Sequence, residues 1–494
     1  MSRRNRSASN YPRRGRSRNR KSPRATHKES MAAMRRWFLP DGGIFANLKF
    51  HGNTTWSPES MVWLALSWAW SECRNLTDAF KEAVECSQTI SESSPLSTYQ
   101  GFMGAMVRWT VPFMELLCAL LHQRMEEIGD AFWRVGTWVP IAFDGSRSTA
   151  PRTAANEKAL CAANYGKGKT ARYRRKKSKG MRRKLNERNK SQPQEPQAWI
   201  TMLWHMRLRL PWMWRLGPSN SSERTHVMDM VTAGRFPKST LLCGDAGFVG
   251  YPLWSHIVQS GADFLVRVGA NVSLLTEHVD YCRQKNGIVF CWPKSTSQAG
   301  QPPLVLRLVK VRLGKTKVWL VTNVLDSAKL TNKQMISLYK MRWGVEIEFR
   351  GLKQTLDRSR LRCRNDQRLL AELSWSIMAM AVAEIFALRE QLADRRSGAA
   401  EASQPIDPVK RSLANAMRAI RHCMRHLKEV PSAGQDLQSM LRLAVTDSYE
   451  RKARKGARYR PPNPDKKPLG DPKLRTMTAE ERSKLDQLEK KIAA

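Results

Sequence analysis

The sequence predicts an α/β protein: a mixed sheet with flanking helices, set between helical regions and basic ends. Three observations predict it. Between Trp138 and Val268 the apolar runs read strand, strand, strand, helix, strand, helix, strand, which suits an α/β layer architecture. On either side, in residues 31–135 and 366–448, apolar residues recur at helical spacing. The chain is also strongly basic, with 85 Lys and Arg against 43 Asp and Glu in 494 residues, a formal charge of +42.

That charge calls for a polyanionic partner, with nucleic acid ahead of an anionic membrane surface. No apolar run reaches the length of a membrane span; the best, Val111–Leu121, is short and contains Glu115. Nine cysteines without a CxxC pair, and no secretory signal, argue for reduced thiols and a cytoplasmic, nucleoid-associated protein. His422 and His426 sit at i,i+4 on a basic helix, but no further zinc ligands stand nearby, so they read as surface or core histidines.

Taken in order, residues 1–30 are rich in Arg and Ser and nearly free of apolar side chains, a disordered basic arm. Residues 31–135 form a helical N-terminal domain suited to DNA binding. Within it Ser57 can cap a helix with Pro58 in its first turn, and a second helix covers about Thr98–Glu127. Residues 136–365 hold the α/β unit. Val139–Phe143 is a short strand ending in an Asp144-Gly145-Ser146 turn. A basic loop, 165–195, follows; Lys167–Lys190 alone carries thirteen Lys or Arg and one acid, Glu187, a run suited to a phosphate backbone. Trp199–Trp204 and Leu210–Leu216 pair as a hairpin. A helix over about Ser221–Ala233 leads to the strand Thr240–Cys243, which ends in Gly244-Asp245-Ala246-Gly247. A helix near Tyr251–Ser260 leads to the strand Phe264–Val268. Residues 271–325 are a β-rich insertion, with strands at Gly287–Trp292, Leu304–Val311 and Val318–Val321. Residues 366–448 are packing helices. Residues 449–494 are a basic tail closed by a helix capped through Thr478 and Glu481.

Chemistry concentrates in Tyr339–Lys353. Thr331 and Gln334 form a capping box, so a helix starts near Asn332. At about 100° per residue, Tyr339, Arg342, Glu346, Arg350 and Lys353 share one face within roughly 80°, and Glu348 faces away. One acid among cations and a phenol reads as a metal ligand beside phosphate-holding groups. Asp144 and Asp245 each end a strand. Two strand-end carboxylates and one helical carboxylate can converge on two divalent cations, and oxygen donors suit Mg²⁺ or Mn²⁺. Asp263 precedes its strand and falls at the wrong end.

The spacing Tyr339, two residues, Arg342, three residues, Glu346, six residues, Lys353 resembles the Y-R-E-K signature of bacterial DDE transposases of the insertion-sequence-four family. Phe143–Ser146 (F-D-G-S), Gly244–Phe248 (G-D-A-G-F) and Asp263–Arg267 (D-F-L-V-R) extend the similarity over about residues 136–365. The resemblance implies an RNase H-like catalytic core with a β-rich insertion. Its catalytic and metal-binding triad would be Asp144, Asp245 and Glu346, with Tyr339, Arg342 and Lys353 holding DNA phosphates and Arg350 alongside them. It also implies a tryptophan stacked on a flipped base, best matched by Trp319 and next by Trp292. The implied function is metal-dependent cleavage at element ends and strand transfer into target DNA by a homodimer or larger synaptic complex. The alternatives are a domesticated DNA-binding protein without chemistry and a metal-dependent nuclease without strand transfer. The basic excursion after Asp144 departs from the family pattern.

Overall fold

The computed structural model describes residues 25–40, 43–91, 96–161, 195–234, 236–277, 286–292, 301–314, 316–392, 406–446 and 469–493. Most of the basic arm, nearly all of the basic loop and the first part of the tail lie outside the described residues.

The chain opens with four helices: α1 (His27–Phe38), α2 (Pro58–Trp70), α3 (Leu76–Ser91) and α4 (Tyr99–Gly129). The predicted caps are in place. Ser57 Oγ accepts from the Ser60 amide with Pro58 in the first turn, and Thr98 Oγ1 accepts from the Gly101 amide. The first helix begins inside the stretch expected to be a disordered arm, because Thr26 and Glu29 close a capping box there. Helix α2 is apolar nearly all round and buried from Ser60 to Trp70.

A ten-stranded sheet follows, ordered β10-β6-β7-β8-β9-β5-β4-β1-β2-β3. Its strands are β1 (Val139–Thr149), β2 (Gln197–His205), β3 (Leu210–Gly217), β4 (Thr240–Gly244), β5 (Asp263–Val268), β6 (Ser273–Thr276), β7 (Asn286–Cys291), β8 (Leu304–Leu313), β9 (Thr316–Thr322) and β10 (Lys473–Thr476). Strands β1 to β3 are an antiparallel meander, while β4 and β5 run parallel to β1. Helix α5 (Ala154–Leu160) follows β1, α6 (Glu223–Ala233) precedes β4, and α7 (Tyr251–Gln259) makes the crossover to β5.

Three strand expectations change. Asp144-Gly145-Ser146 is not a turn, because β1 continues through it to Thr149. Its pairing with β4 stops at Ala142↔Cys243, but β2 carries the ladder on to Thr149↔Gln197, so tertiary pairing overrides local turn preference. The β-rich insertion, expected without a pairing to the core strands, extends the same sheet, since β9 pairs antiparallel with β5. The tail returns as well: β10 adds in parallel to β6.

Helices α8 (Asn332–Arg342) and α9 (Gly344–Gln354) replace the single predicted helix, with the break at Trp343. The Thr331–Gln334 capping box opens α8 as expected. Gly344 explains how closely α9 approaches the sheet, because a Cβ there would overlap the Trp204 ring of β2. After α9 the chain is pinned back to β1. The Leu361 amide donates to Thr149 O at 2.8 Å, and Glu372 accepts from the Arg362 and Cys363 amides at 3.1 and 3.0 Å.

Helix α10 (Asp366–Leu392) is the hub of the helical layer, followed by α11 (Leu413–Arg425), α12 (Leu437–Arg442) and, after β10, α13 (Ala479–Ala493). Trp375 Nε1 donates to Thr110 Oγ1 of α4 at 2.9 Å, and Trp70 Nε1 donates to Ala379 O at 2.8 Å. The helices before the sheet therefore pack on the helices after it, and one hydrophobic core runs through helices and sheet alike. The sequence showed no apolar run of spanning length. Among the described residues two helices are long and apolar enough, Tyr99–Phe132 and Asp366–Leu392. The apolar window of the second is 89% buried inside the protein, as a core helix requires.

Substituting Gly344→Ala should force Trp204 and α9 apart. We expect a loss of about 1–3 kcal/mol in chemical denaturation, as for overpacked cores. An unchanged midpoint would show that the α9–β2 contact tolerates a methyl group.

Candidate active site

Two acids reach the site from parallel neighbours. Ala142 of β1 pairs with Cys243 of β4, so Asp144 and Asp245 each lie two residues beyond a matched pair, at the same end of the sheet. Gly145 N–H donates to Asp144 Oδ1 at 2.8 Å, and Gly247 N–H donates to Asp245 Oδ1 at 2.7 Å, which orients both carboxylates. The third acid, Glu346, lies in the first turn of α9, where the helix dipole favours a negative charge.

Arg342, the last residue of α8, joins two of the three. Its Nη1 is 3.3 Å from Asp144 Oδ2, and its Nη2 is 3.5 Å from Glu346 Oε1. The residue is 4% exposed and the Tyr339 ring lies 5.5 Å from the guanidinium carbon. Burial works against its charge, but Tyr339, Asp144, Asp245 and Glu346 outweigh that and raise its pKa. Lys353 Nζ donates to Ser146 Oγ at 2.7 Å. Ser146 is two residues past Asp144 and so lies on the same face of β1. Burial lowers the Lys353 pKa. Arg350 is exposed.

Burial pushes the Asp144 carboxyl up to about 6, and the negative charges of Asp245 and Glu346 add to the rise against the opposing Gly145 N–H and Arg342. Glu223, at the start of α6, faces the same crowding. Its pKa is raised by burial first and then by Asp144 and Asp245. Its carboxylate occupies the space a Cβ on Gly145 would fill, so a larger residue there would displace the Glu223 carboxylate.

The other expected residues fall elsewhere. Trp319 lies in β9, 6% exposed, with its indole N–H donating to Asp471 Oδ1 at 2.6 Å and Lys310 Nζ 4.8 Å from the ring centre. Neither feature offers a free face for a base. Trp292 packs in a small satellite cluster with Leu275 and Phe290. Asp263 starts β5 beside Leu241, at the far end of the parallel strands from Asp245, and accepts from Asn323 Nδ2 at 2.6 Å. Glu348 faces away from the site as expected. It is buried beside Glu384 and Arg411, and burial followed by the Glu384 charge raises its pKa well above the usual range.

Sequence reading missed Ser146 and Glu223. Ser146 was available from strand alternation, had β1 been extended past Asp144. Glu223 carried no sequence signal beyond its place after a capping serine.

Asp144, Asp245 and Glu346 offer only hard oxygen donors, which fit a divalent cation such as Mg²⁺ or Mn²⁺. The acids do not form a closed shell, because Arg342 stands between two of them. Among the described residues no group of three His, Cys, Asp or Glu is close enough to hold a metal.

The arrangement is that of a basic α/β protein whose acidic site lies at the ends of parallel strands. Residues 141–382 match the family model described as the transposase DDE domain. This match supports a DDE transposase and, in general terms, DNA transposition; such enzymes generally depend on a divalent metal. A solved structure similar to this chain is the cryo-EM structure of the piggyBac transposase synaptic complex with hairpin DNA. It is 12% identical, covers 85% of this chain and 86% of that chain, and has a TM-score of 0.39, too distant to carry an argument. A comparison with curated proteins found no match.

The Asp144 shift has a sign that can be tested in EDTA. The unfolded carboxyl titrates near its ordinary value of 3.8 and the folded one is pushed up to about 6, so folding takes up a proton between them. Stability should therefore fall as pH rises through this window. Asp144→Asn should raise the melting temperature at pH 7.5, by an amount corresponding to roughly 1–3 kcal/mol. The gain should shrink toward pH 4. An equal effect at both pH values would mean that Asp144 is not held above its ordinary range.

Proposed function

We propose that this chain is a transposase that cuts DNA at the ends of an insertion element and joins the freed ends to target DNA. The reading rests chiefly on one observation: Asp144 and Glu346, far apart in sequence, meet on the guanidinium of Arg342, with Asp245 beside Asp144 at the end of the neighbouring parallel strand. The transposase DDE-domain match over residues 141–382 adds to it. In this reading the meander β1–β3 with parallel β4 and β5 is an RNase H-like core, and Asp144, Asp245 and Glu346 are its triad.

These three carboxylates would hold two Mg²⁺ or Mn²⁺ ions, which activate an attacking hydroxyl and stabilise a leaving oxygen in phosphodiester displacement. The chain's own groups do the rest. Gly145 and Gly247 amides fix the orientation of the two aspartates. Arg342 balances the charge of Asp144 and Glu346 and would donate to a DNA phosphate. Lys353, held at Ser146, meets the backbone on the same face. Tyr339 packs against Arg342 and limits its movement. Arg350, exposed one turn past Glu346, is a further phosphate contact. The charge of +42 supplies a long-range attraction to DNA. The protein would act in the cytoplasm, on the nucleoid, as a homodimer or larger complex pairing two element ends.

The test is strand transfer by the purified full chain, with end DNA and a supercoiled target, in Mg²⁺ or EDTA, beside Glu346→Gln. Joined product that needs metal and falls at least about 10²-fold in the variant is expected for a residue of this kind. Binding without cleavage in the wild type would favour a DNA-binding protein without chemistry. Cleavage without joining would favour a nuclease.

A further inference from the structure

The face of α9 turned away from the acidic site carries a buried charge cluster that the chemistry does not use. At about 100° per residue, Glu348 lies roughly 200° around the helix from Glu346. It is buried beside Glu384 of α10 and Arg411, which stands just before α11. Both of these are buried as well, and Arg411 Nη2 lies 3.6 Å from Glu384 Oε1. The same Nη2 donates to the carbonyl of Arg209, in the turn between β2 and β3. One guanidinium thus meets the back of α9, the helical layer and the sheet.

The surroundings of this guanidinium are tied down. The Arg411 amide donates to Pro408 O at 3.1 Å and the Ser412 amide to Ala444 O at 2.8 Å, so its backbone is held from both sides. Arg209 has a left-handed φ of 56°, and its guanidinium carbon lies 5.4 Å from the ring centre of Trp204. Trp204 is the ring on which Gly344 opens α9. Further along the helix, a Cβ on Gly351 would lie 2.7 Å from Leu413 Cδ2. The start of α9 therefore rests on Trp204 and its later turns on Leu413, with Glu348 between them against Arg411.

Such a cluster is a poor source of stability. Arg411 Nε and Nη1, Glu384 Oε2 and Glu348 Oε1 are buried without a hydrogen-bond partner among the described residues. Apolar side chains of similar size often match or surpass buried ion pairs of this kind in stability. What the charges fix is one arrangement, since a helix turned about its axis would strand a carboxylate in the core. We propose that Arg411 is a positioning residue for the acidic site: through Glu348 and Glu384 it sets the rotation of α9, and with it the direction of Glu346 and Lys353. This rests on the metal-site reading above. Glu346 and Lys353 are seven residues apart and about 20° from alignment, so one rotation misdirects both.

The test combines Arg411→Met, Glu384→Leu and Glu348→Leu in the full chain, beside Arg411→Lys, Asp144→Asn and the wild type. Mn²⁺ affinity is followed by electron paramagnetic resonance, and cleavage of end DNA by its kcat and KM. The apolar combination should melt at or above the wild-type temperature in EDTA. It should nevertheless bind Mn²⁺ about tenfold or more weakly, as for loss of a group that orients metal ligands, and should lose kcat rather than gain KM. Arg411→Lys keeps the charge but not the planar fork, so it should fold and show a smaller loss of the same kind. A folded combination with wild-type Mn²⁺ affinity and kcat would overturn the proposal. Should the combination not fold, wild-type Mn²⁺ affinity and kcat in Arg411→Lys would overturn it. In either case weaker Mn²⁺ binding by Asp144→Asn would leave the metal-site reading standing. Unchanged binding by Asp144→Asn would overturn both.

Discussion

A guanidinium that is 4% exposed keeps its charge only if anions surround it, and Arg342 obtains them from β1 and from its own helix pair. This contact ties the most distant parts of the site together. Asp144 comes from β1, third from one edge of the sheet, and Glu346 from a helix just over two hundred residues later. Removing either acid takes a partner from the buried cation; for Asp144 the relief of its own buried charge is the larger effect, because its carboxyl is held up despite Arg342. Removing the arginine would leave Asp144 crowded by Asp245 and Glu346, whose charges already help to hold its carboxyl up. The site is therefore built as a cluster of carboxylates around one buried guanidinium, whose N–H groups hold two of the three acids in place.

The fold serves that cluster by fixing two strand ends and one helix. Parallel register between β1 and β4 sets Asp144 beside Asp245. Gly145 leaves room for the Glu223 carboxylate, and Gly344 lets α9 rest on Trp204. Beyond α9, Glu372 gathers the following loop and Leu361 bonds to the end of β1, so helix and strand are clamped on both sides of the acids. Apolar helices around α10 close the other side of the molecule and share the same core.

Much of this was legible in the sequence. The caps at Ser57, Thr98 and Thr331, the hairpin, and the strand ends at Asp245 and Asp263 follow from local chemistry and appear where expected. So does Glu348 on the far face of its helix. What was not legible depended on partners distant in sequence. Asp-Gly-Ser reads as a turn until β2 supplies a ladder for it. A tail strand has no visible partner until β6 is in place. The break at Trp343 and the close approach of Gly344 to Trp204 are likewise not encoded in periodicity. The hydrogen-bond partner of Trp319, Asp471, lies 152 positions away and could not be seen from local chemistry.

The most direct test of the central claim is a Mn²⁺ titration of the full chain followed by electron paramagnetic resonance, with Asp144→Asn, Asp245→Asn and Glu346→Gln beside the wild type. The account predicts two spin-coupled ions in the wild type and the loss of at least one in each variant. Mn²⁺ bound with equal affinity and the same spectrum in all four proteins would contradict it, and would show that these three acids do not form a metal site together.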